Sequence, residues 1–399
     1  MTDVLLTYAW VRSSYAALRN LSGHGVNVCV SDSHRVGMCQ LSRLKYGFER
    51  YPSHYDSEGA FVDRILEICH KRNIKIILPS HNETEILARH RNRLSGNLAA
   101  LLPDVAHCEL FNNKASAYEY AKSIGVPVPV RIEYEQPGRL AKAIRFSGFE
   151  QTVIKLLTGN SAKGVFYADD PDSAQQIVTD LVTKYKLEPK RFPLVEQRVS
   201  GEGWGNSVLY WHGQHIANFT HRRLREKIST GGTSTLRESA RHAELEAAAS
   251  KIFNNIRWHG LAMSEFKVCP VTGEFWFVEV NPRMWGSIPL AISAGVEFPY
   301  LAWLCATQGP DAAKEYHANC EIHHPWRGRW LLGDTMVAAQ QFFNGNLSVV
   351  SETLFGQKAD SVDDFYWDDP VAFLGEVLYY SSNSLAKMSL NPSEKGMVG

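Results

Sequence analysis

The chain has no excess of either charge sign: Lys and Arg total 42, and Asp and Glu total 42, in 399 residues. No bulk basic field is available to draw in nucleic acid, and that class of partner is excluded. Long apolar runs are missing too. No stretch approaches the roughly 20 residues that cross a bilayer, so no membrane role is expected. Cysteine is sparse and scattered. The seven stand at 29, 39, 69, 108, 269, 305 and 320, and none forms a CxxC pair. That argues against a disulfide framework and for free thiols in a reducing, cytoplasmic setting. His323 and His324 are adjacent but have no nearby Cys/His set, which argues against zinc. There is no internal repeat and no low-complexity tract. The opening MTDVLLTYAWVRSS has no basic leader or small-residue cleavage pattern, and it is expected to begin the first strand. What remains is a globular composition, 44% hydrophobic and 21% charged, in a chain long enough for two or three domains. Two-fold dimers are the commonest soluble assembly, so a homodimer is the default expectation.

Over residues 1–110, strand and helix signals alternate. VLLTY (4–8), VNVCVSD (26–32) and IKIILPS (74–80) read as strands, and 13–25, 58–72 and 83–94 read as helices. Such alternation predicts parallel strands with crossover helices. Ligands bind at the carboxyl ends of strands of this kind. PSHNE (79–83) therefore either faces a cleft or is a helix-start turn capped by Asn82. A second unit opens near NNKASAYEYAKSIGVPVPV (112–130). Its helix runs from Lys114 to Ile124 and stops at Gly125, with two prolines beyond. Next come the strand TVIKLL (152–157), the loop TGNSAKGV (158–165), a helix over 171–186 and the strand FPLVEQRV (192–199). Residues 205–300 are strand-rich around a helix at 238–256, and 300–385 mixes helix with short strands. The last stretch, SLAKMSLNPSEKGMVG, is expected to fray. The predicted segments are 1–111, 112–199, 200–310 and 311–399.

The chemistry concentrates in FWFVEVNPRMWGS (275–287). In a strand, Trp276, Val278 and Val280 share one face, and Glu279, Asn281 and Arg283 share the other. Buried charges need partners, so that second face is either solvated or lines a site. LAMSEFKVCPVTGEFWFVEVN (261–281) reads as a hairpin turning at PVTGE, which brings Glu265 towards Glu279. Two carboxylates and an amide oxygen form a hard-oxygen set of the kind Mg²⁺ prefers; the alternative is an ordinary solvated hairpin. Lys155, inside VIKLL, needs an anion or a route to water. The loop after it holds Gly159, Ser161, Lys163 and Gly164. Its backbone N–H groups either cradle phosphate or simply turn the chain. Lys114 begins a helix, a poor place for a cation unless an anion is held there. LVEQRVSGEGWG (194–205) ends in a Gly-rich bend that serves as a linker, an adenine edge, or both. Arg222, Arg223 and Arg225 form an exposed basic face or reach a cleft, and strand alternation predicts that Arg223 and Arg225 point the same way. HHPWRGRWLLGD (323–334) either walls an acceptor site or packs the C-terminal segment.

Taken in order, Lys114, Lys155, the small-residue loop, VEQRV, Glu265 and VEVNPR resemble the ATP-grasp superfamily over about residues 1–300. FVEVNPRMWGS is the most specific stretch. HRRLREKISTGGTSTLRES (221–239) and SIPLAISAGVEFPYL (287–301) look like a carboxylate–amine ligase-like branch. The resemblance implies a mixed α/β and α+β architecture: an N-terminal parallel-sheet domain and two α+β lobes that clamp ATP. It implies that Lys114 and Lys155 hold phosphates and that the 159–165 loop folds over them. Glu196 and the backbone of Gln197–Val199 would meet adenine. Glu265, Glu279 and Asn281 would hold one or two Mg²⁺, with Mn²⁺ as a substitute, and Arg283 would meet the transferred phosphate. One departure stands out. Family members place a ribose-binding acid seven residues beyond the position of Glu196, where this chain has Gly203, so the neighbouring Glu202 takes that expectation.

The implied activity is ligation of a small carboxylic acid to an amine or amino acid, through an acyl phosphate, with release of ADP and phosphate. Catalysis would rest on positioning and charge neutralisation, with Arg283 and Arg225 at the reacting groups. An acyl phosphate must be kept from water, so a lid is expected at 225–235. Arg223, Gly231 and Gly232 are the substrate-loop candidates. Two alternatives stay open: phosphorylation of an enol or hydroxyl oxygen followed by amine displacement, and an ATP-binding regulatory module without turnover.

Overall fold

The structure, a computed structural model, describes residues 3–159, 164–227 and 233–387, with side chains through 383. It opens with four parallel strands, β1 (Val4–Leu6), β2 (Val28–Asp32), β3 (Gly47–Arg50) and β4 (Ile76–Leu78), in the order β3-β2-β1-β4. Alternation along them divides the core. Leu5, Cys29 and Ile77 face the helix Glu58–Arg72 through Phe61, Ile65 and Ile68. Val4, Leu6, Val28, Val30, Ile76 and Leu78 face a second cluster on the other side. The strand β3 had no apolar pattern to announce it. Its buried Glu49 is tolerated because Arg64, Lys71 and Arg72 surround it. Asn82 does precede a helix, Glu83–Arg89, but it does not cap it: the side chain makes no cap bond. It donates instead to the Tyr55 hydroxyl at 2.8 Å.

The next three strands, β5 (Thr152–Lys155), β6 (Val165–Ala168) and β7 (Leu194–Gln197), form an antiparallel sheet in the order β6-β5-β7. The helices Leu140–Ser147 and Pro171–Tyr185 cover it through Leu140, Ile144, Ala174, Val178 and Leu181. The remaining strands are β8 (Glu202–Trp211), β9 (Gln214–Glu226), β10 (Ser234–Ser239), β11 (Gly260–Val268), β12 (Phe275–Asn281), β13 (Arg327–Arg329) and β14 (Ser361–Val362). They join in the order β12-β11-β8-β9-β10-β13-β14.

Two compact units result. The first takes residues 3–108, Gly205–Met263 and 281–387; the second takes Glu109–Trp204 and Ser264–Val280. The division corrects the four-segment reading at two points. Residues 200–310 do not form one body, because β8, β11 and β12 each cross a boundary. Residues 311–387 are no extension: β13 pairs with β10, and Trp330 is fully buried. Of the two readings of HHPWRGRWLLGD, packing is the one observed at Trp330, whose indole donates to Glu376 at 3.1 Å. The expected fraying of the tail concerns residues that, from 388 on, lie outside the described residues. All seven cysteines are free. Among the described residues no helix is long and apolar enough to cross a membrane.

Candidate functional site

In the second unit Lys114 and Lys155 have partners. The helix Lys114–Ser123 starts at Lys114, with Asn113 capping it through the amides of Ala115 and Ser116. The Lys114 ammonium lies 3.5 Å from the Glu279 carboxylate and donates to the Gly159 carbonyl at 3.1 Å. A cation at a helix start opposes the dipole, and the carboxylate beside it offsets that cost. Lys155 ends β5. Its ammonium meets Glu196 at 2.5 Å and the Tyr118 hydroxyl at 2.7 Å. Lys155 and Glu196 are only 6% and 3% exposed. Burial alone would push the Lys155 ammonium down, but the adjacent Glu196 carboxylate and Tyr118 outweigh it and hold its pKa above the usual lysine value. Burial, reinforced by Glu196, raises the Tyr118 phenol as well.

The two pairs differ in kind. Lys155–Glu196 is closed, with a hydroxyl completing it, and it leaves the third ammonium donor of Lys155 for another acceptor. Lys114–Glu279 is more open: Glu279 keeps a quarter of its side-chain surface. Sequence reasoning missed Tyr118. The signal was available, because Tyr118 stands four residues after Lys114 on the same helix face. Lys267 was missed too. It alternates with Glu265 along β11, and its ammonium donates to the Gly201 carbonyl at 3.1 Å. The backbone at Gly201 leaves no room for a side chain, since an added Cβ would lie 2.5 Å from the Val268 carbonyl oxygen.

The other nucleotide candidates take these places. Gln197 is the last residue of β7, and its amide donates to the Val130 carbonyl at 2.9 Å. Half-buried Val199 lies between β7 and β8, and Glu202 opens β8. Gly164 has φ +85°, and its carbonyl accepts from the Leu156 amide at 2.8 Å, closing the base of the loop after β5. Ser161, Lys163, Gly231 and Gly232 lie outside the described residues. Glu265 lies on β11 and Glu279 near the end of β12, both in the second unit, whereas Asn281 and Arg283 belong to the first. Among the described residues no three His, Cys, Asp or Glu side chains converge. A divalent cation would therefore need carboxylates together with neutral or phosphate oxygens, which is the donor set that suits Mg²⁺.

In the first unit, Arg283 donates to the Met284 carbonyl at 3.0 Å and lines a small cavity with Pro79, Thr84 and Leu261. Arg223 and Arg225 do not share a face. Opposed residues on paired strands do, and Arg225 opposes Leu236 while Arg223 opposes Arg237. Two compensating bulges cause this, with Leu224 extra on β9 and Thr235 extra on β10. Arg223 pairs with Glu226 at 3.2 Å. Arg225 meets Asp334 at 3.1 Å and donates to the Thr353 carbonyl. Burial lowers the Arg225 guanidinium and raises the Asp334 carboxyl, although Arg225 and Arg329 partly counter the second shift.

The family model described as carbamoyl-phosphate synthase L chain, ATP binding domain, matches residues 97–302. Biotin carboxylase from Campylobacter jejuni superposes with a TM-score of 0.64 at 14% identity, over 82% of this chain and 75% of that one. N5-carboxyaminoimidazole synthetase from Staphylococcus aureus, complexed with ADP, gives 0.63 at 17%, over 87% and 86%. The biotin carboxylase domain dimer of Hydrogenobacter thermophilus 2-oxoglutarate carboxylase, with MgADP, ADP and bicarbonate, gives 0.61 at 14%, over 81% and 71%. Acetyl-CoA carboxylase 1 of Oryza sativa subsp. japonica is 26% identical over 167 residues, which is 40% of this chain. The match spans only 7% of the length of that curated relative. At these identities the superpositions establish the fold, and the family match over more than half of the chain establishes kinship. The chain belongs to the family of the carbamoyl-phosphate synthase L chain ATP binding domain, within the ATP-grasp superfamily.

Proposed function

We propose that the chain is an ATP-dependent ligase that activates a small carboxylic acid as its acyl phosphate and joins it to an amine or amino acid. The acid's oxygen takes the γ-phosphoryl group of ATP, the amine nitrogen then displaces phosphate, and ADP and phosphate leave. The observation that carries this reading is the Lys114–Glu279 contact at 3.5 Å. A phosphate-seeking cation and a metal-seeking carboxylate stand together, each neutralising the other. Glu265 and Glu279 would hold Mg²⁺, with Asn281 as a further ligand. The ion supplies charge neutralisation at the phosphates. With Glu279 so engaged, Lys114 is released to hold phosphate oxygens. Lys155 is fixed by Glu196 and Tyr118 and offers its third donor to a phosphate. The backbone from Gln197 to Val199 would read the adenine edge, and Glu202 the ribose. Arg283 would meet the transferred phosphate. Arg225 and Arg223 now stand on opposite faces, so at most one of them is offered to the acid.

Bicarbonate is the first acid to try, because several structural relatives are carboxylases and one holds bicarbonate. The test is ADP release by the purified full chain with Mg²⁺, across a panel of acids and amines, with product masses measured. Release that requires both an acid and an amine supports the ligase. A phosphorylated alcohol or enol among the products would replace it with the second reading. ATP binding without ADP release under every pairing would leave a regulatory module.

A further inference from the structure

One buried cluster in the first unit is not used by the proposed reaction. Arg237 on β10 is fully buried. Arg223 on β9 stands directly across from it, and like charges opposed in a sheet repel. Each has an acid: Arg223 pairs with Glu226, and Arg237 donates through Nη2 to Asp363. Arg12, the first residue of the helix Arg12–Gly23, brings its Nε to 3.4 Å from that same Asp363 oxygen. Arg12 is buried too, with its guanidinium over the Trp330 ring. One carboxylate thus serves two buried guanidinium groups. The atoms left over are specific. Arg237 Nε and Nη1 have no hydrogen-bond partner among the described residues, and neither does Asp363 Oδ1. His221, 1% exposed, adds two ring nitrogens in the same condition. His221 opposes Ser239, two residues along from the Arg223–Arg237 pair, so it shares their face of the sheet. Gly205 makes room for it, since an added Cβ would lie 2.5 Å from the imidazole Cε1. Burial, with Arg223 and Arg237 beside it, lowers the imidazole to about 3. Near pH 7 it is therefore neutral, with one donor and one acceptor. Buried polar atoms are nearly always paired, and each exception calls for a reason.

We propose that this cluster binds an α-amino acid as the amine partner of the ligation, with Arg237 and His221 holding its carboxylate and Asp363 Oδ1 accepting from its nitrogen. The purpose of the site rests on the ligase reading, but its geometry does not. Three observations favour an amino acid over a plain amine or a plain anion. First, two of the three guanidinium nitrogens of Arg237 are left to donate, and charge-assisted bonds from arginine to a carboxylate are among the strongest. A plain amine would leave them unused. Second, an acceptor of opposite charge sits on the same arginine. Asp363 Oδ1 would repel an inorganic anion, whereas the nitrogen of a zwitterion satisfies it. Pairing both charges is also what offsets the cost of taking them out of water. Third, the cluster adjoins the segment that carries the proposed chemistry. An added Cβ at Gly286, three residues beyond Arg283, would lie 3.4 Å from Arg12 Nη2.

Calorimetric titration of the full chain tests it, with and without a non-hydrolysable ATP analogue and Mg²⁺. The probes are the proteinogenic L-amino acids, each matched with the amine left by removing its carboxylate, and acetate as a plain anion. At least one amino acid should bind about 30-fold more tightly than its matched amine, the ratio expected for hydrogen bonds to a charged group. Acetate should bind no better than that amine. Arg237→Lys keeps a cation facing Asp363 but has neither Nε nor Nη1. It should abolish the ratio and leave circular dichroism unchanged, a pattern that a purely structural arginine would not give. His221→Gln leaves the pair with Asp363 untouched and should lower the ratio about 5-fold, which keeps the test decisive if Arg237→Lys does not fold. Selective amino acid binding by a chain that releases no ADP would uphold the site and remove the ligase reading. ADP release that proceeds equally well with the decarboxylated amines would remove the site and keep the ligase. The proposal is also overturned if no amino acid binds under either condition, or if both variants keep the ratio of the unaltered chain.

Discussion

Glu196→Gln isolates what the buried lysine requires. The change keeps the shape of the side chain and removes the charge that Lys155 faces at 2.5 Å. Both groups are almost wholly buried. Removing one partner of such a pair leaves an uncompensated charge and costs about 3–5 kcal/mol, and Tyr118, still in reach, argues for the lower end. With a urea slope of about 2 kcal/mol per molar, the midpoint should fall by roughly 1.5 M. The two units need not melt together, so hydrogen exchange over Glu109–Trp204 is the direct assay. The discriminating variant is Lys155→Met combined with Glu196→Leu. An apolar pair of similar volume should restore protection to within about 1 kcal/mol, but ATP affinity should stay lost. The pH dependence is fixed in sign. The Lys155 pKa is raised, so its contribution is complete below the unfolded value of about 10.4 and is lost only as pH rises through the folded value. The penalty of Glu196→Gln should therefore be constant from about pH 7 to pH 9. A loss under about 1 kcal/mol, or a double variant that binds ATP as well as the unaltered chain, would refute the reasoning.

Glu279→Gln should cut ADP release at least about 100-fold while the chain stays folded, because one metal charge is lost at constant size; near-full activity would remove Glu279 from the proposed metal set. Gly201→Ala should cost about 1–3 kcal/mol and weaken ATP binding, since its Cβ meets the Val268 carbonyl and something must shift; thermal melts and nucleotide titration read both effects, and an unchanged variant would deny the close approach. Acid should loosen the first unit. Burial lowers His54 and His259 to about 4, and burial with Arg223 and Arg237 lowers His221 to about 3. A depressed histidine contributes stability above its unfolded value near 6.5 that is lost as pH falls, about 2 kcal/mol apiece by pH 5. Urea midpoints followed from pH 7 to pH 5 should drop, and His221→Gln should flatten the profile. A flat profile in the unaltered chain contradicts the assignment.

How far the sequence could be read depended on whether the relevant signal was local. The alternation before residue 80, the helix stop at Gly125 (φ +72°) and the β11–β12 hairpin all rest on neighbours within a few residues, and all are present. Lys155 is instructive because half of it was legible. An ammonium in an apolar strand needs an anion, but which anion depends on strand order, and only the pairing of β5 with β7 sets Lys155 near Glu196. The family resemblance offered that carboxylate, with the backbone beyond it, to adenine; its short contact with Lys155 is what strand pairing adds. The arginines failed for the opposite reason. Strict alternation was assumed where Leu224 and Thr235 each add a residue, and one such addition flips every side chain beyond it. The C-terminal part failed because its pairing partner, β10, lies about ninety residues back.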